Sequence, residues 1–159
     1  MSLVTVGIGD LVVTGEPGGV IVTHGLGSCI ALVAWDPGRH VGGMLHFQLP
    51  TSALSPERAR GAPGTFADTG IPLLFERLYA RGCRKEDLVV KAAGGGSFND
   101  LYGVFDIGRR NHAAMRRILR RARVAVAAED VGGARSRTVR LFLDSGRVTV
   151  QSGEEIAPL

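Results

Sequence analysis

The segment Val22-Thr23-His24-Gly25-Leu26-Gly27-Ser28-Cys29 has the residue types of a nucleophile on a turn: a β-branched strand runs into two closely spaced glycines and emerges on Ser-Cys. Glycine lets a backbone turn sharply, so a thiol placed there can be aimed into a cleft with backbone N–H groups beside it. Hydrolysis of an amide through a tetrahedral intermediate needs that combination, and Gly27 and Ser28 are the candidate support for the oxyanion. The competing reading is a buried structural cysteine at the head of an apolar strand, the common fate of a lone thiol.

A base is needed next, and His46 offers one within Gly42-Gly43-Met44-Leu45-His46-Phe47-Gln48-Leu49-Pro50. Asp36-Pro37-Gly38 is strong hairpin chemistry, so the strand beginning near Cys29 and the strand ending near His46 are neighbours. The turn at residues 36–39 lies midway between the two residues, which predicts that Cys29 and His46 stand opposite one another, roughly 5 Å apart at Cβ. At that separation an imidazole can take the thiol proton. A satisfied core or surface histidine is the bland alternative. Thr23 is available to orient the imidazole through its other nitrogen, although an isolated threonine is more often an ordinary strand residue. His24 is a rival base by proximity, but strand alternation sends it to the face opposite Thr23.

The elements that must position these residues follow from periodicity. Strands are predicted over residues 3–8, 10–14, 20–24, 30–35 and 41–48, then a structureless surface loop over 50–65 near the site. Ile71, Leu74, Phe75 and Leu78 predict a helix over 66–81, capped by Asp68 or Thr69 and ended by Gly82. A buried strand over 88–93 leads into Gly94-Gly95-Gly96-Ser97. A second helix over 109–123 turns Ala114, Met115, Ile118 and Ala122 inward and arginine outward. Strands over 124–129, 138–143 and 147–151 follow, the last two joined by the hairpin residues Asp144-Ser145-Gly146. More strands than helices, closely spaced at first and mixed later, indicate an α+β fold with largely antiparallel sheets.

Composition bounds the rest. The chain of 159 residues and 16.8 kDa is expected to be one domain spanning 1–159, and its 45% hydrophobic and 21% charged residues exclude disordered and fibrous classes. Cys29 and Cys83 cannot build a disulfide framework, residues 1–10 lack signal-peptide character and no apolar run reaches membrane-spanning length. A cytoplasmic protein with free thiols and no membrane insertion is expected. Gly94-Gly95-Gly96-Ser97 lacks the lysine of a phosphate-binding loop, and Cys29, Cys83, His24 and His46 lack metal-ligand spacing, so neither a cofactor nor a metal is expected. Arg109, Arg110, Arg116, Arg117, Arg120, Arg121 and Arg123 crowd one helix. Without a stacking platform or a recognised nucleic-acid motif, they suit an acidic protein partner better than nucleic acid.

Taken together, Thr23-His24-Gly25-Leu26-Gly27-Ser28-Cys29, Gly42-Gly43-Met44-Leu45-His46 with Leu49-Pro50, Ala92-Ala93-Gly94-Gly95, Ile107-Gly108-Arg109-Arg110-Asn111, and Glu129-Asp130-Val131-Gly132-Gly133 with Arg137 resemble the CheD family of chemoreceptor glutamine deamidases. The resemblance covers nearly the whole chain. It implies a layered α/β sandwich with outer helices and a Cys-His-Thr triad at Cys29, His46 and Thr23. It also implies conversion of glutamine side chains of methyl-accepting chemotaxis receptors to glutamate, with release of ammonia. The partners it implies are those receptors and a CheC-type phosphatase. A second activity class, a non-catalytic binding regulator of such a phosphatase, fits the same motifs. His24 stands where the family more often has an apolar residue, and residues 51–65 match nothing recognisable.

Overall fold

The computed structural model describes residues 2–98 and 106–159. Among these residues ten strands form two five-stranded sheets. The first holds β1 (Leu3–Thr5), β3 (Val20–Leu26), β8 (Arg137–Phe142), β9 (Val148–Ser152) and β10 (Glu155–Pro158), in that order. The second runs β2 (Leu11–Thr14), β5 (Val41–Phe47), β4 (Ile30–Asp36), β6 (Val89–Gly94) and β7 (Ala128–Val131). Two pairings, β1 with β3 and β6 with β7, are parallel, and the others are antiparallel. This is the expected α+β sandwich of mixed, largely antiparallel sheets.

Burial along the strands gives the layering. In β8, buried and half-buried residues alternate, so one face looks inward and the other outward. All of β5 and nearly all of β4 are buried, because their sheet is covered on both faces. Cys29, Ala31, Val33, Met44 and Ala93 meet Ile21, Leu26, Val139 and Leu141 between the sheets. Ile30, Leu32, Leu45 and Phe47 pack on the other side against α2 (Ala67–Ala80) and α3 (Ile107–Arg121). Each such large side chain, fully removed from water, contributes about 1.5–3 kcal/mol. The result is sheet, sheet, helices, with the helices on one side only.

Several boundaries differ from the sequence expectation. The 50–65 stretch holds a short helix, α1 (Pro56–Gly61), flanked by single 3-10 turns. Asp68 and Thr69 do not cap α2: Asp68 accepts from the N–H and hydroxyl of Ser52, and Thr69 donates to Pro63, so both tie down the preceding segment instead. On α3, Leu119 is buried and Ala122, expected inward, is exposed, because the helix ends at Arg121 and leaves Ala122 beyond its last turn. The 124–129 strand is displaced to Ala128–Val131, and β10, whose residues are all exposed, carried no apolar pattern to announce it.

Candidate active site

Thr23 on β3 and His46 on β5 reach toward each other across the space between the two sheets, and both are 0% exposed. Thr23 Oγ1 lies 2.7 Å from His46 Nδ1 and 2.6 Å from the carbonyl oxygen of Val6. A hydroxyl has one hydrogen, and the Val6 carbonyl can only accept, so Thr23 donates to Val6. Its oxygen then accepts from His46, which assigns the imidazole hydrogen to Nδ1 and leaves the lone pair on Nε2. Nε2 is buried and has no hydrogen-bond partner among the described residues. The backbone of His46 is pinned on both sides, its N–H donating to Asp10 O at 3.0 Å and its carbonyl accepting from Gly9 N–H at 2.8 Å.

A bulge in β3 makes this possible. Thr23 pairs with Val139 and Leu26 with Arg137, so His24 and Gly25 together face the single residue between those partners. The extra residue lets Thr23 and Leu26 both point inward and throws His24 to the exposed side, away from the site. Gly25 takes φ +67° there. The expected separation of His24 from Thr23 therefore holds.

The Cys29–His46 register needs correction. Ile30 pairs with Phe47 and Ala31 with His46, so Cys29 is the diagonal neighbour of His46 and not its direct opposite. The hairpin turn occupies Pro37 to His40, closed by His40 N–H to Asp36 O at 2.8 Å, and sits one residue later than expected. Moving a turn by one residue moves the pairing by two, which preserves the face. Cys29 thus remains on the interior face with Ala31, the residue paired with His46. Burial pushes the Cys29 thiol above its ordinary value. Burial likewise pushes His46 down to about 4, against a smaller opposing pull from the Asp10 charge. Near neutral pH both are uncharged, a thiol and a free base on one interior face.

The turn that carries Cys29 is fastened from behind. Gly96 N–H donates to Gly27 O at 2.8 Å and Gly95 N–H to Cys29 O at 2.9 Å. Asn111 Nδ2 donates to Ser28 O at 3.0 Å and to Gln48 O at 2.9 Å. The approach is so close that a Cβ on Gly94 would collide with the Cys29 carbonyl, and one on Gly108 with the carbonyls of Gly95 and Gly96. Arg137, 2% exposed, extends from β8 to the Gly94 and Gly132 carbonyls and to Asp130, joining the sheets at this end.

Sequence reading singled out Thr23, Cys29 and His46, which sit on adjoining elements at one end of the sandwich, with Gly27 and Ser28 in the turn. It gave no role to Val6, Asn111 or Arg137. For Asn111 a signal existed: an amide sits in line with Ala114, Met115 and Ile118, on the apolar stripe of α3. Among the described residues no three His, Cys, Asp or Glu side chains gather in a way that would hold a metal ion.

Residues 48–152 match the family model for CheD chemotactic sensory transduction. That stretch begins just past His46, whereas full-length relatives extend over all three candidate residues. A protein of Anaeromyxobacter dehalogenans named "Probable chemoreceptor glutamine deamidase CheD 2" is 87% identical over 159 residues, covering 100% of both chains. A similarly named CheD protein of Solibacter usitatus is 47% identical, covering 99% of this chain and 95% of its own. A third, from Methanococcus vannielii, is 40% identical over 82% of this chain and 84% of its own. By the matched stretch and by full-length identity alike, the chain belongs to the CheD family.

Proposed function

We propose that this protein is a chemoreceptor glutamine deamidase acting through a Cys29 thioester. The observation that carries the reading is the hydrogen-bond chain from Val6 through Thr23 to His46 Nδ1, which leaves Nε2 as an unpartnered base on the interior face that also bears Cys29. The names of its full-length relatives supply the substrate.

In this reading a receptor glutamine places its carboxamide carbon against Cys29 Sγ. His46 Nε2 takes the thiol proton as sulfur attacks, and the carboxamide oxygen becomes an oxyanion held by backbone N–H groups of the Ser28–Cys29 turn. The tetrahedral adduct collapses as His46 returns the proton to the departing nitrogen, which leaves as ammonia. Water, deprotonated by His46, then attacks the thioester, and glutamate and the free thiol are released. The balance is one amide and one water consumed, with one carboxylate, one ammonia and one proton formed, the last two combining as ammonium near neutral pH. Thr23 holds the imidazole so that Nε2 keeps its lone pair, and the charge arising on His46 is transient, since burial disfavours its resting protonation.

The receptor-docking face is assigned to α3. Arg116 is engaged by Glu129 at 2.9 Å, whereas Arg117, Arg120 and Arg121 are exposed along the helix and suit an acidic helical partner. A cytoplasmic location belongs to the same reading, and no helix among the described residues is long and apolar enough to cross a membrane.

The test is mass spectrometry of a receptor cytoplasmic fragment after incubation with wild type, Cys29→Ala and His46→Ala, scoring glutamine-to-glutamate conversion peptide by peptide. Conversion by wild type alone is expected. Receptor binding without conversion by any of the three would replace the enzyme with a binding regulator, for which a CheC-type phosphatase is the partner to try.

A further inference from the structure

The peptide linking Ser28 to Cys29 has its carbonyl turned toward α3, where Asn111 Nδ2 donates to it. No cis peptide bond occurs among the described residues, so the N–H of Cys29 points opposite to the Ser28 carbonyl, away from α3. The preceding peptide behaves alike: Gly27 O is held by Gly96 N–H, which turns the Ser28 N–H away from that loop. Orientation of these two donors is therefore set by what grips the carbonyls behind them. Gly96 is a backbone group, and Asn111 is the side chain among the described residues that grips Ser28 O.

Asn111 is 0% exposed. Its amide gives both bonds to carbonyls, Ser28 O and Gln48 O, and leaves its own Oδ1 buried and without a partner among the described residues. The reverse orientation would set Oδ1 against two carbonyl oxygens, so the assignment of nitrogen and oxygen is fixed by chemistry. Gln48 lies two residues beyond His46, and Ser28 directly precedes Cys29. One amide thus spans the backbone beside the nucleophile and the backbone beside the base. The close seating of Gly108 on Gly95 and Gly96 brings α3 near enough for this to happen.

We infer that Asn111 is a positioning residue for the oxyanion hole, holding the Ser28–Cys29 peptide so that the Cys29 N–H faces the oxygen of a Cys29 adduct. The inference rests on Cys29 being the acylated nucleophile of the proposed deamidase. Asn111 touches no reacting atom. Its effect is confined to steps that build negative charge on a carbonyl oxygen, and it has little influence on the thiol's own reactivity.

Two reagents separate those steps. Acylation of Cys29 by p-nitrophenyl acetate passes through an oxyanion, whereas alkylation by iodoacetamide is a direct displacement that forms none. Both are followed at Cys29 by peptide mass spectrometry in wild type, Asn111→Leu and Asn111→Ala, the smaller side chain leaving room for water on the carbonyls if leucine prevents folding. Leu78→Ala, a core change at the far end of α2, supplies a destabilised control. The expected result is a fall of about 100-fold in acylation for the Asn111 variants, the size of effect seen when an oxyanion donor is lost. Alkylation should stay near wild type, and Leu78→Ala should change neither. Equal falls in both rates, or no fall in acylation, would overturn the inference. A wild-type Cys29 that alkylates but does not acylate would overturn it together with the thioester mechanism. Wild type that acylates yet converts no receptor glutamine would remove the deamidase reading alone.

Discussion

Cys29 and Cys83 are both buried, both free and both harder to ionise than an ordinary thiol. They differ in what the fold sets beside them. Cys83 follows α2 and lies against Asp36, whose carboxylate is 1% exposed at the start of the β4–β5 hairpin. Burial opposes ionisation of Asp36, yet the N–H groups of Arg39 and Gly38, with the Cys83 thiol and the Arg39 guanidinium, outweigh it and hold the carboxyl below its usual range. Removed from water and facing that charge, Cys83 is pushed up to about 11. Its neighbour is a carboxylate that stays ionised. Cys29 lies near an imidazole whose Nε2 lone pair is committed to nothing among the described residues. Burial and a raised pKa therefore do not tell a nucleophile from a structural thiol. What tells them apart is whether the neighbour can accept the proton and later return it.

The largest expected effect breaks the comparison outright. Cys29→Ala should cost deamidation about 10^4-fold or more, whereas Cys83→Ala should leave it unchanged. Initial rates on a receptor fragment decide this, and loss of activity on changing Cys83 would reverse the assignment. His46→Gln, which keeps a polar side chain but offers no base, should lower kcat by about 10^2 to 10^4. Thr23→Val preserves shape while leaving Nδ1–H unpaired and the tautomer unfixed, and should lower kcat by about 10- to 100-fold, with Thr23→Ser recovering most of it. Equal rates for the Val and Ser variants would mean that the hydroxyl orients nothing.

The pH dependence sharpens the same contrast from two sides. With His46 held to about 4, kcat/KM should climb through that value on the acid side and show no step near the ordinary histidine range. A step near 6.5 would mean that water reaches the imidazole. For stability, a depressed histidine contributes fully above its unfolded value, and the contribution is lost as pH falls toward about 4. The raised Cys83 behaves oppositely: its contribution is complete below the unfolded thiol value and is lost as pH rises toward about 11. Denaturant melts across pH should accordingly show His46→Gln flattening the acid side and Cys83→Ala the alkaline side. The smallest effect is the stability cost of Cys83→Ala at neutral pH, about 1 kcal/mol in the midpoint of those melts.

Much of this is legible in the amino-acid sequence alone. Asp36-Pro37-Gly38 announced a hairpin because proline and glycine fix backbone angles wherever they stand. Ile71, Leu74, Phe75 and Leu78 announced α2 because helical periodicity is a local property, and all four are buried. Thr23, Cys29 and His46 were found because their types are rare in combination on glycine-flanked strands. Local signals failed where the deciding contact was distant. Asp68 was expected to cap its own helix, but Ser52 supplied better donors for its carboxylate. The exposed β10 is a strand because β9 offers it an edge, not because its own residues ask for one.

The sequence by itself determined the α+β class, the strands that bear the three candidate residues and the faces on which those residues lie, since alternation and turn chemistry act over a few residues. Tertiary structure alone decided the rest. It set the diagonal placement of Cys29 against His46, because register depends on which residues close the turn. It joined Val6, Thr23 and His46 into one hydrogen-bond chain, because Thr23 and His46 come from strands of different sheets and Val6 from the segment that follows β1. It also brought Asn111 to the carbonyl of Ser28, 83 residues away in the chain, because α3 seats on two glycines that leave it room.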